Sequence, residues 1–381
     1  MVSRPHGGRL VDRTRVGSSL ERLREESNFM EKLEVNEGRA FDVANIAHGV
    51  YSPLEGFMNR NDYESVLNSM RLEDDTPWTI PIVLDAEEKH LKGLREGDEV
   101  ALSYKGKNIA ILRINEIFSW DKKKHAYSIY KTTSSKHPGV LKVMGMKEMM
   151  ISGPITLLED PPEKFERQRL WPKDTRVLFE HLKWGNVVAF QTRNAPHTGH
   201  EYIMKAALTF ADGLFVNPLL GWKKKGDFRD DVIVSAYKAL LDKYFPKESY
   251  VFSILRMEMN YAGPREAIHH AIVRKNYGAT HMIVGRDHAG VGDFYGPYDA
   301  WKAFEEFPDL GIIPLFIREA FYCKKCKAMV NEKICPHREE DRIRISGTKI
   351  RKMLAKGERP PEYLMRPEVV DAILSFEKPF F

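Results

Sequence analysis

Cysteine is scarce in this sequence. Three occur among 381 residues, all in the thirteen positions from Cys323 to Cys335, which argues against a disulfide framework and for a reducing compartment. Long apolar runs are missing too. None approaches the ~18 residues that a membrane-spanning helix needs, and the opening MVSRPHGGRLVDRTR lacks the apolar centre of a signal peptide. Neither charge sign dominates: 59 Lys and Arg face 54 Asp and Glu, a net charge of +5. A nucleic-acid binder concentrates its positive charge. Here the compact basic runs are Lys122 to Lys124 with His125, and Lys223 to Lys225, the second answered by Asp227, Asp230 and Asp231; both read as solvated loops. Repeats and low-complexity tracts are absent. With 43% hydrophobic and 11% aromatic residues, the chain has material for packed cores in two or three domains. The expectation is a cytoplasmic protein that binds neither nucleic acid nor membrane, its mild positive excess suited to small anions.

What is present centres on NVVAFQTRNAPHTGHEY, Asn186 to Tyr202. Val187 to Phe190 read as a strand buried on both faces, as in parallel sheets. Gln191, Thr192, Arg193, Asn194, His197, Thr198, Gly199 and His200 follow, and then a helical run with apolar Ile203, Ala206, Ala207 and Phe210. Polar groups crowding a strand-to-helix turn sit where open α/β sheets bind ligands, and the free N–H groups of the helix favour an anion. Arginine offers a planar fork of donors, Gln191 and Asn194 add neutral ones, and two histidines three apart face one way. The stretch holds neither cysteine nor serine, so it is built to stabilise charge on a transferred group and not to form a covalent intermediate. The plainer alternative is two satisfied histidines at a helix start.

Along the chain, residues 1–165 form a β-rich module with helical additions: helical SSLERLREESNFMEKLEV and AFDVANIAHGV, then strands in TPWTIPIVLDA and DEVALSYKGKNIAILRINEIFSW, with a hairpin turn at Lys105 to Asn108. Pro161 and Pro162 mark a linker. From Val187 to about Arg318 strand and helix alternate, which predicts a parallel sheet covered on both faces. The strands expected are Val187 to Phe190, Leu214 to Pro218, Tyr250 to Leu255, His281 to Gly285 and Gly311 to Phe316. Asp231 to Tyr244 and Pro264 to Asn276 read as amphipathic helices, the second opened by Pro264 and stopped by Gly278.

A second polar strand end follows Met282 to Val284: Gly285, Arg286, Asp287, His288, Ala289 and Gly290, where consecutive N–H groups are expected to cradle an oxyanion. Near the end Ser346, Gly347 and Thr348 precede a helix beginning near Lys349, an anion-binding start or an ordinary capped one. The cysteines with His337 make C-x2-C-x8-C-x-H, four ligands for a structural zinc in a 319–381 subdomain. With every position of the ion filled by protein, it would hold a loop and not catalyse.

The HxGH turn resembles the signature of the nucleotidyltransferases related to class I aminoacyl-tRNA synthetases. In its longer QTRN form, and with GRDHAG and NYAGPREA (Asn260 to Ala267), the chain is similar to the sulfate adenylyltransferase, or ATP sulfurylase, family. PHGGRLV (Pro5 to Val11), YSPLEGFM (Tyr51 to Met58) and HPGV (His137 to Val140) resemble segments of that family's PUA-like N-terminal domain, and ISGT resembles the ISSTxxR segment of the wider superfamily. The resemblance implies an α/β protein: a PUA-like domain at 1–165, a Rossmann-like nucleotidyltransferase domain of the HUP type at 166–318, and a small helical, zinc-loop subdomain at 319–381. It implies ATP and sulfate as substrates, adenosine 5′-phosphosulfate and pyrophosphate as products, and a homodimer or larger homo-oligomer.

By the same resemblance Gln191, Arg193 and Ala289 would hold sulfate. Thr192, Arg193 and Asn194 would act on the α-phosphoryl group, and His197 and His200 on the β- and γ-phosphates. Gly285, Arg286, Asp287 and His288 would line the nucleotide site, with Arg286 the charged contributor and a residue near Ala320 against adenine. Ser346 and Thr348 are secondary candidates. Ala195 and Pro196 depart from the family pattern, in which the proline often comes first. Magnesium would arrive with ATP, held by phosphates and water; zinc would sit on Cys323, Cys326, Cys335 and His337. No GxxxxGK[ST] loop occurs, which disfavours an attached adenosine-phosphosulfate kinase. The rival readings are a nucleotidyltransferase acting on a phosphorylated vitamin precursor and a PUA-type RNA-binding protein.

Overall fold

A computed structural model describes residues 2–222 and 226–381; the basic run Lys223 to Lys225 lies outside the described residues. The first part of the chain holds helices α1 (Gly17–Ser27), α2 (Glu37–Ala47), α3 (Arg60–Ser69), α4 (Lys122–Tyr130) and α5 (Pro138–Met144). Its strands are β1 (Lys32–Glu34), β2 (Gly56–Phe57), β3 (Leu84–Ala86), β4 (Glu99–Tyr104), β5 (Lys107–Arg113), β6 (Glu116–Ser119) and β7 (Met149–Leu157). They form one sheet of order β1-β4-β5-β7-β2, and β3 and β6 also pair with the long β7.

Three local expectations fail here. The helical reading through Val35 stops at Ser27, because Lys32–Glu34 pair in parallel with β4. Most of TPWTIPIVLDA is irregular, its prolines Pro77 and Pro81 withholding ladder donors, and only Leu84–Ala86 pair. The Lys122 to His125 run is no solvated loop: Asp121 accepts from the N–H groups of Lys123 and Lys124 and starts α4, which buries His125.

The second part adds α6 (Pro172–His181), β8 (Val187–Thr192), α7 (Thr198–Leu208), β9 (Gly213–Leu220), α8 (Asp230–Tyr244), β10 (Tyr250–Phe252), β11 (Leu255–Arg256), α9 (Pro264–Asn276), β12 (His281–Val284), α10 (Asp299–Ala303) and β13 (Ile313–Phe316). The sheet is parallel throughout, in the order β10-β9-β8-β12-β13, with β11 continuing the pairing along β9. Alternate residues of β8 enter two cores. Val188 and Phe190 pack with α7 and α8; Val187 and Ala189 pack with α9 and the first part of the chain. From β8 the chain first proceeds to β9 and β10 on one side, then crosses to β12 and β13 on the other. That reversal between β8 and β12 opens a crevice at their carboxyl ends.

The remaining strands β14 (Ala320–Cys323), β15 (Ala328–Asn331) and β16 (Arg342–Arg344) make a small antiparallel sheet. Helices α11 (Gly347–Ala355) and α12 (Pro367–Leu374) follow, and Ile350, Leu354, Val369, Val370 and Ile373 join the core of α7 and α8. One expectation about the sheet's covering needs correction. Helix α9 has the predicted bounds, with Pro264 in its first turn and Gly278 at φ 100° past its end, but it is not amphipathic: every residue from Arg265 to Asn276 is buried.

Candidate active site

Beyond β8 the chain reaches α7 through a turn capped by histidines. His197 is the N-cap. Its Nδ1 accepts the N–H of His200 at 3.3 Å, and the Nδ1 of His200 accepts the N–H of His197 at 3.4 Å. The rings stack, with centroids 3.8 Å apart and planes 11° from parallel. Burial pushes the His197 imidazole down to about 4 and that of His200 well below its ordinary value. Both rings are therefore neutral at pH 7, and because each Nδ1 is an acceptor, each proton sits on Nε2. The pair presents two neutral N–H donors, a suitable set for phosphate oxygens.

Gln191 and Thr192 end β8, and Asn194 donates its N–H to Thr192 Oγ1 at 3.3 Å. Asn194 Oδ1 accepts from Arg351 Nη1 at 3.3 Å, which leaves the Asn194 amide N–H groups for a ligand. Arg193 is held from two sides. Its Nη1 lies 3.3 Å from Asp227 Oδ2 and 3.3 Å from the Tyr261 hydroxyl, and its guanidinium sits 4.8 Å from the Tyr261 ring centroid. Asp227 is 3% exposed, so this guanidinium is fixed in direction before any anion arrives.

At the end of β12, Arg286 and Asp287 are exposed and His288 is buried. Partial desolvation by the surrounding crevice raises the Asp287 carboxyl, opposed by Arg286 and Arg193. Of the run expected to cradle an oxyanion, the N–H groups of Asp287 and Gly290 are already engaged. The Asp287 N–H donates to Pro297 O at 2.8 Å and the Gly290 N–H to Asp287 O at 3.3 Å, while Asp287 and Ala289 adopt φ of 53° and 57°.

A cavity of about 410 Å³ joins these parts. Gln191, Thr192, Arg193, Asn194, His197, His200 and the run Gly285 to Gly290 line it, together with Gly347 and Arg351. All the substrate-site residues expected at the two strand ends thus meet in one crevice. Ser346 and Thr348 do not line it: Ser346 caps α11 by accepting the Lys349 N–H at 3.3 Å, and Thr348 Oγ1 accepts from Arg351 at 3.4 Å. Ala320 is buried in β14, also away from the lining. Three contributors were not anticipated. Arg351 was readable in principle, since the Ser346 cap puts Gly347, Ile350 and Arg351 on one helical face. Asp227 and Tyr261 carried no local signal for holding Arg193.

The cysteines and His337 gather outside this cavity, their ligand atoms all within 4.8 Å of one another. Sγ of Cys323, Cys326 and Cys335 lie 3.3, 3.3 and 3.7 Å from His337 Nδ1, and Cys326 Sγ is 3.9 Å from Cys335 Sγ. Tetrahedral zinc, with bonds of about 2.3 Å to sulfur and 2.0–2.1 Å to nitrogen, separates its ligands by roughly 3.5–3.8 Å. The donor set and spacing fit zinc.

A parallel sheet whose reversal point gathers arginines, neutral histidines and glycines around one crevice makes an α/β protein with an anion-binding site. Comparison with known proteins narrows the class. The family model described as ATP-sulfurylase matches residues 166–376, and that described as PUA-like domain matches residues 3–160. Curated relatives named sulfate adenylyltransferase include those of Hyperthermus butylicus, 67% identical over 100% of this chain and 98% of its own, and Ignicoccus hospitalis, 66% identical over 100% of both. The chain belongs to the ATP-sulfurylase family. Among solved structures, one titled as a hexameric APS kinase from Thiobacillus denitrificans superposes with a TM-score of 0.80 at 23% identity, over 100% of this chain and 69% of that one; that likeness concerns the fold.

Proposed function

We propose that this chain is a sulfate adenylyltransferase, joining ATP and sulfate into adenosine 5′-phosphosulfate and pyrophosphate, reversibly. A sulfate oxygen attacks the α-phosphorus in line. The new P–O–S link forms as the bond to the β-phosphate oxygen breaks, and its electron pair leaves on pyrophosphate, so the protein's task is to bring two anions together and offset their repulsion. The observation that carries this reading is the crevice at the β8/β12 reversal, where Arg193 and the Nε2–H donors of His197 and His200 share one cavity with Gly285 to Gly290.

In this reading Gln191, Arg193 and the backbone at Ala289 hold sulfate. Thr192, Arg193 and Asn194 meet the charge that develops on the α-phosphoryl group, and Arg351 both fixes the Asn194 amide and adds a cation. His197 and His200 hydrogen-bond the departing pyrophosphate. Gly285, Arg286, Asp287 and His288 line the nucleotide. Magnesium enters with ATP, bound by phosphate oxygens and water. Zinc, held by Cys323, Cys326, Cys335 and His337, would supply no step; with four protein ligands it would tie the β14–β15 hairpin to the segment that follows it. We further propose domains at 1–165, 166–318 and 319–381, a homodimer or larger homo-oligomer, and a cytoplasmic setting. No described helix is long and apolar enough to cross a membrane.

The test is pyrophosphate release from MgATP with and without sulfate, with molybdate as a second acceptor. Release that depends on either oxyanion supports adenylyl transfer. No release with either, from protein that binds ATP, overturns the reading.

A further inference from the structure

His288 lines the same cavity as His197 and His200, but its hydrogen bonding runs the other way. Its Nε2 lies 3.1 Å from Nδ1 of His270, which α9 buries completely, and the two rings meet edge to face with centroids 5.4 Å apart. On the far side of His270, Nε2 faces Glu266 Oε1 at 3.6 Å and makes no hydrogen bond. Glu266, one helical turn earlier on α9, is fully buried and accepts the N–H groups of Asn260 at 2.8 Å and Ala262 at 3.0 Å.

The polarity of this ladder follows from its inner end. Burial raises the Glu266 carboxyl to about 7, against the two backbone N–H groups it accepts; above that pH its oxygens present negative charge to His270, and an N–H on Nε2 is favoured there over a lone pair. His270 Nδ1 is then an acceptor, and His288 must donate Nε2–H to it. Burial holds both rings neutral, that of His288 down to about 3. The ring nitrogen that His288 keeps for the cavity is Nδ1, with a lone pair. Such a group repels phosphate and sulfate oxygens. At neutral pH sulfate has no hydrogen to donate, and ATP donates only through its ribose hydroxyls and its adenine amino group.

We propose that Glu266 and His270 are positioning residues that fix His288 as a hydrogen-bond acceptor for the nucleoside half of ATP. Within one cavity the histidines are thereby sorted: His197 and His200 donate to the polyphosphate, and His288 accepts from the nucleoside. The proposal rests on the nucleotide reading above.

Its test uses the full chain. His270→Leu removes the acceptor that fixes His288, whereas His270→Asn restores one through Oδ1. His270→Leu is expected to weaken ATP about 5- to 10-fold, in calorimetric affinity and in KM, the effect of one lost neutral hydrogen bond; the sulfate KM should stay within about twofold and His270→Asn should recover most of the loss. Among 2′-deoxyATP, 3′-deoxyATP and purine riboside triphosphate, the one lacking the partnered donor should bind the wild-type and His270→Leu proteins alike. Equal losses for ATP and all three analogues, or a loss falling on sulfate, would overturn the proposal. Nitrogen-15 shifts of histidine-labelled wild-type protein, read above pH 7 where Glu266 is a carboxylate, give the tautomer directly: Nε2–H on His288 is expected, and Nδ1–H would overturn it even if both variants fail to fold. ATP affinity is measured without sulfate, so the two readings fail separately. A protein that binds ATP but makes no adenosine phosphosulfate defeats the function proposed above, while the analogue affinities still decide the role of His288.

Discussion

Helices α8 and α9 pack on opposite faces of one sheet and solve burial in opposite ways. Helix α8 is an ordinary amphipathic helix: Val232, Ile233, Leu240 and Leu241 face the core, and Lys238 is left in solvent. Helix α9 buries Arg265, Arg274, Lys275 and Asn276 along with its apolar residues. Among the described residues none of its three cations forms a salt bridge with a carboxylate; each donates to backbone carbonyls. Arg265 donates to Val66 O and Leu67 O, both at 2.9 Å, Arg274 to Asn217 O at 3.0 Å, and Lys275 to Leu310 O at 2.7 Å. Asn276 donates to Val50 O and Ser52 O at 3.0 Å. A buried charge costs several kcal/mol unless such partners await it, and most of these come from the N-terminal part of the chain. Helix α9 is the joint between that part and the crevice, with Arg265 and Asn276 turned to one and Glu266 and His270 to the other.

The difference can be tested by cutting the joint. Arg265→Ala leaves the carbonyls of Val66 and Leu67 without their donor and opens a cavity, and should cost about 3–5 kcal/mol in denaturant unfolding. Lys238→Ala on α8 should stay within about 0.5 kcal/mol. Equal shifts in the two variants would remove the distinction between the helices. At the crevice end, Tyr261 just before α9 holds Arg193. Arg193→Ala should lower turnover by about 10²- to 10³-fold, equivalent to roughly 2.7–4 kcal/mol of barrier, in protein whose circular dichroism is unchanged. Near-normal turnover would remove Arg193 from the chemistry.

The same contrast explains what the sequence disclosed. The β8–α7 turn was legible because its signals are local: an apolar run, a polar turn, then helical spacing. GRDHAG and the four metal ligands were legible for the same reason. The bounds of α9 were legible through Pro264 and Gly278, but its burial was not, since the carbonyls that satisfy Arg265 lie 186 to 199 residues away. The family segments in the first part of the chain acquire a physical role only in three dimensions: the His6 N–H donates to Asn276 Oδ1, Ser52 O accepts from Asn276, and His137 meets Tyr261 O at 3.1 Å. Asp227 and Arg351 escaped notice as partners of Arg193 and Asn194 for the same reason of distance along the chain.

A milder substitution makes α9 more like α8. His269 is buried beside Trp78 and Tyr51, with ring centroids 5.5 and 5.7 Å away, and its Nδ1 has no partner. Burial pushes its imidazole down to about 3, and those of His6 and His197 down to about 4. Below the ordinary value of 6.5 the unfolded chain takes up protons that the folded chain refuses, so stability is fully present above about pH 6.5 and declines as pH falls toward 4. Each such histidine contributes a slope of up to about 1.4 kcal/mol per pH unit in that window. His269→Phe keeps an aromatic ring between Trp78 and Tyr51 but removes one proton from the count. Its stability should therefore fall less steeply than the wild type's between pH 6.5 and 4, by up to that one increment, as read from denaturant midpoints at half-unit intervals. An unchanged slope would mean that His269 takes up its proton as readily in the folded protein as in the unfolded chain, and that α9 tolerates a buried cation there without a carbonyl to receive it.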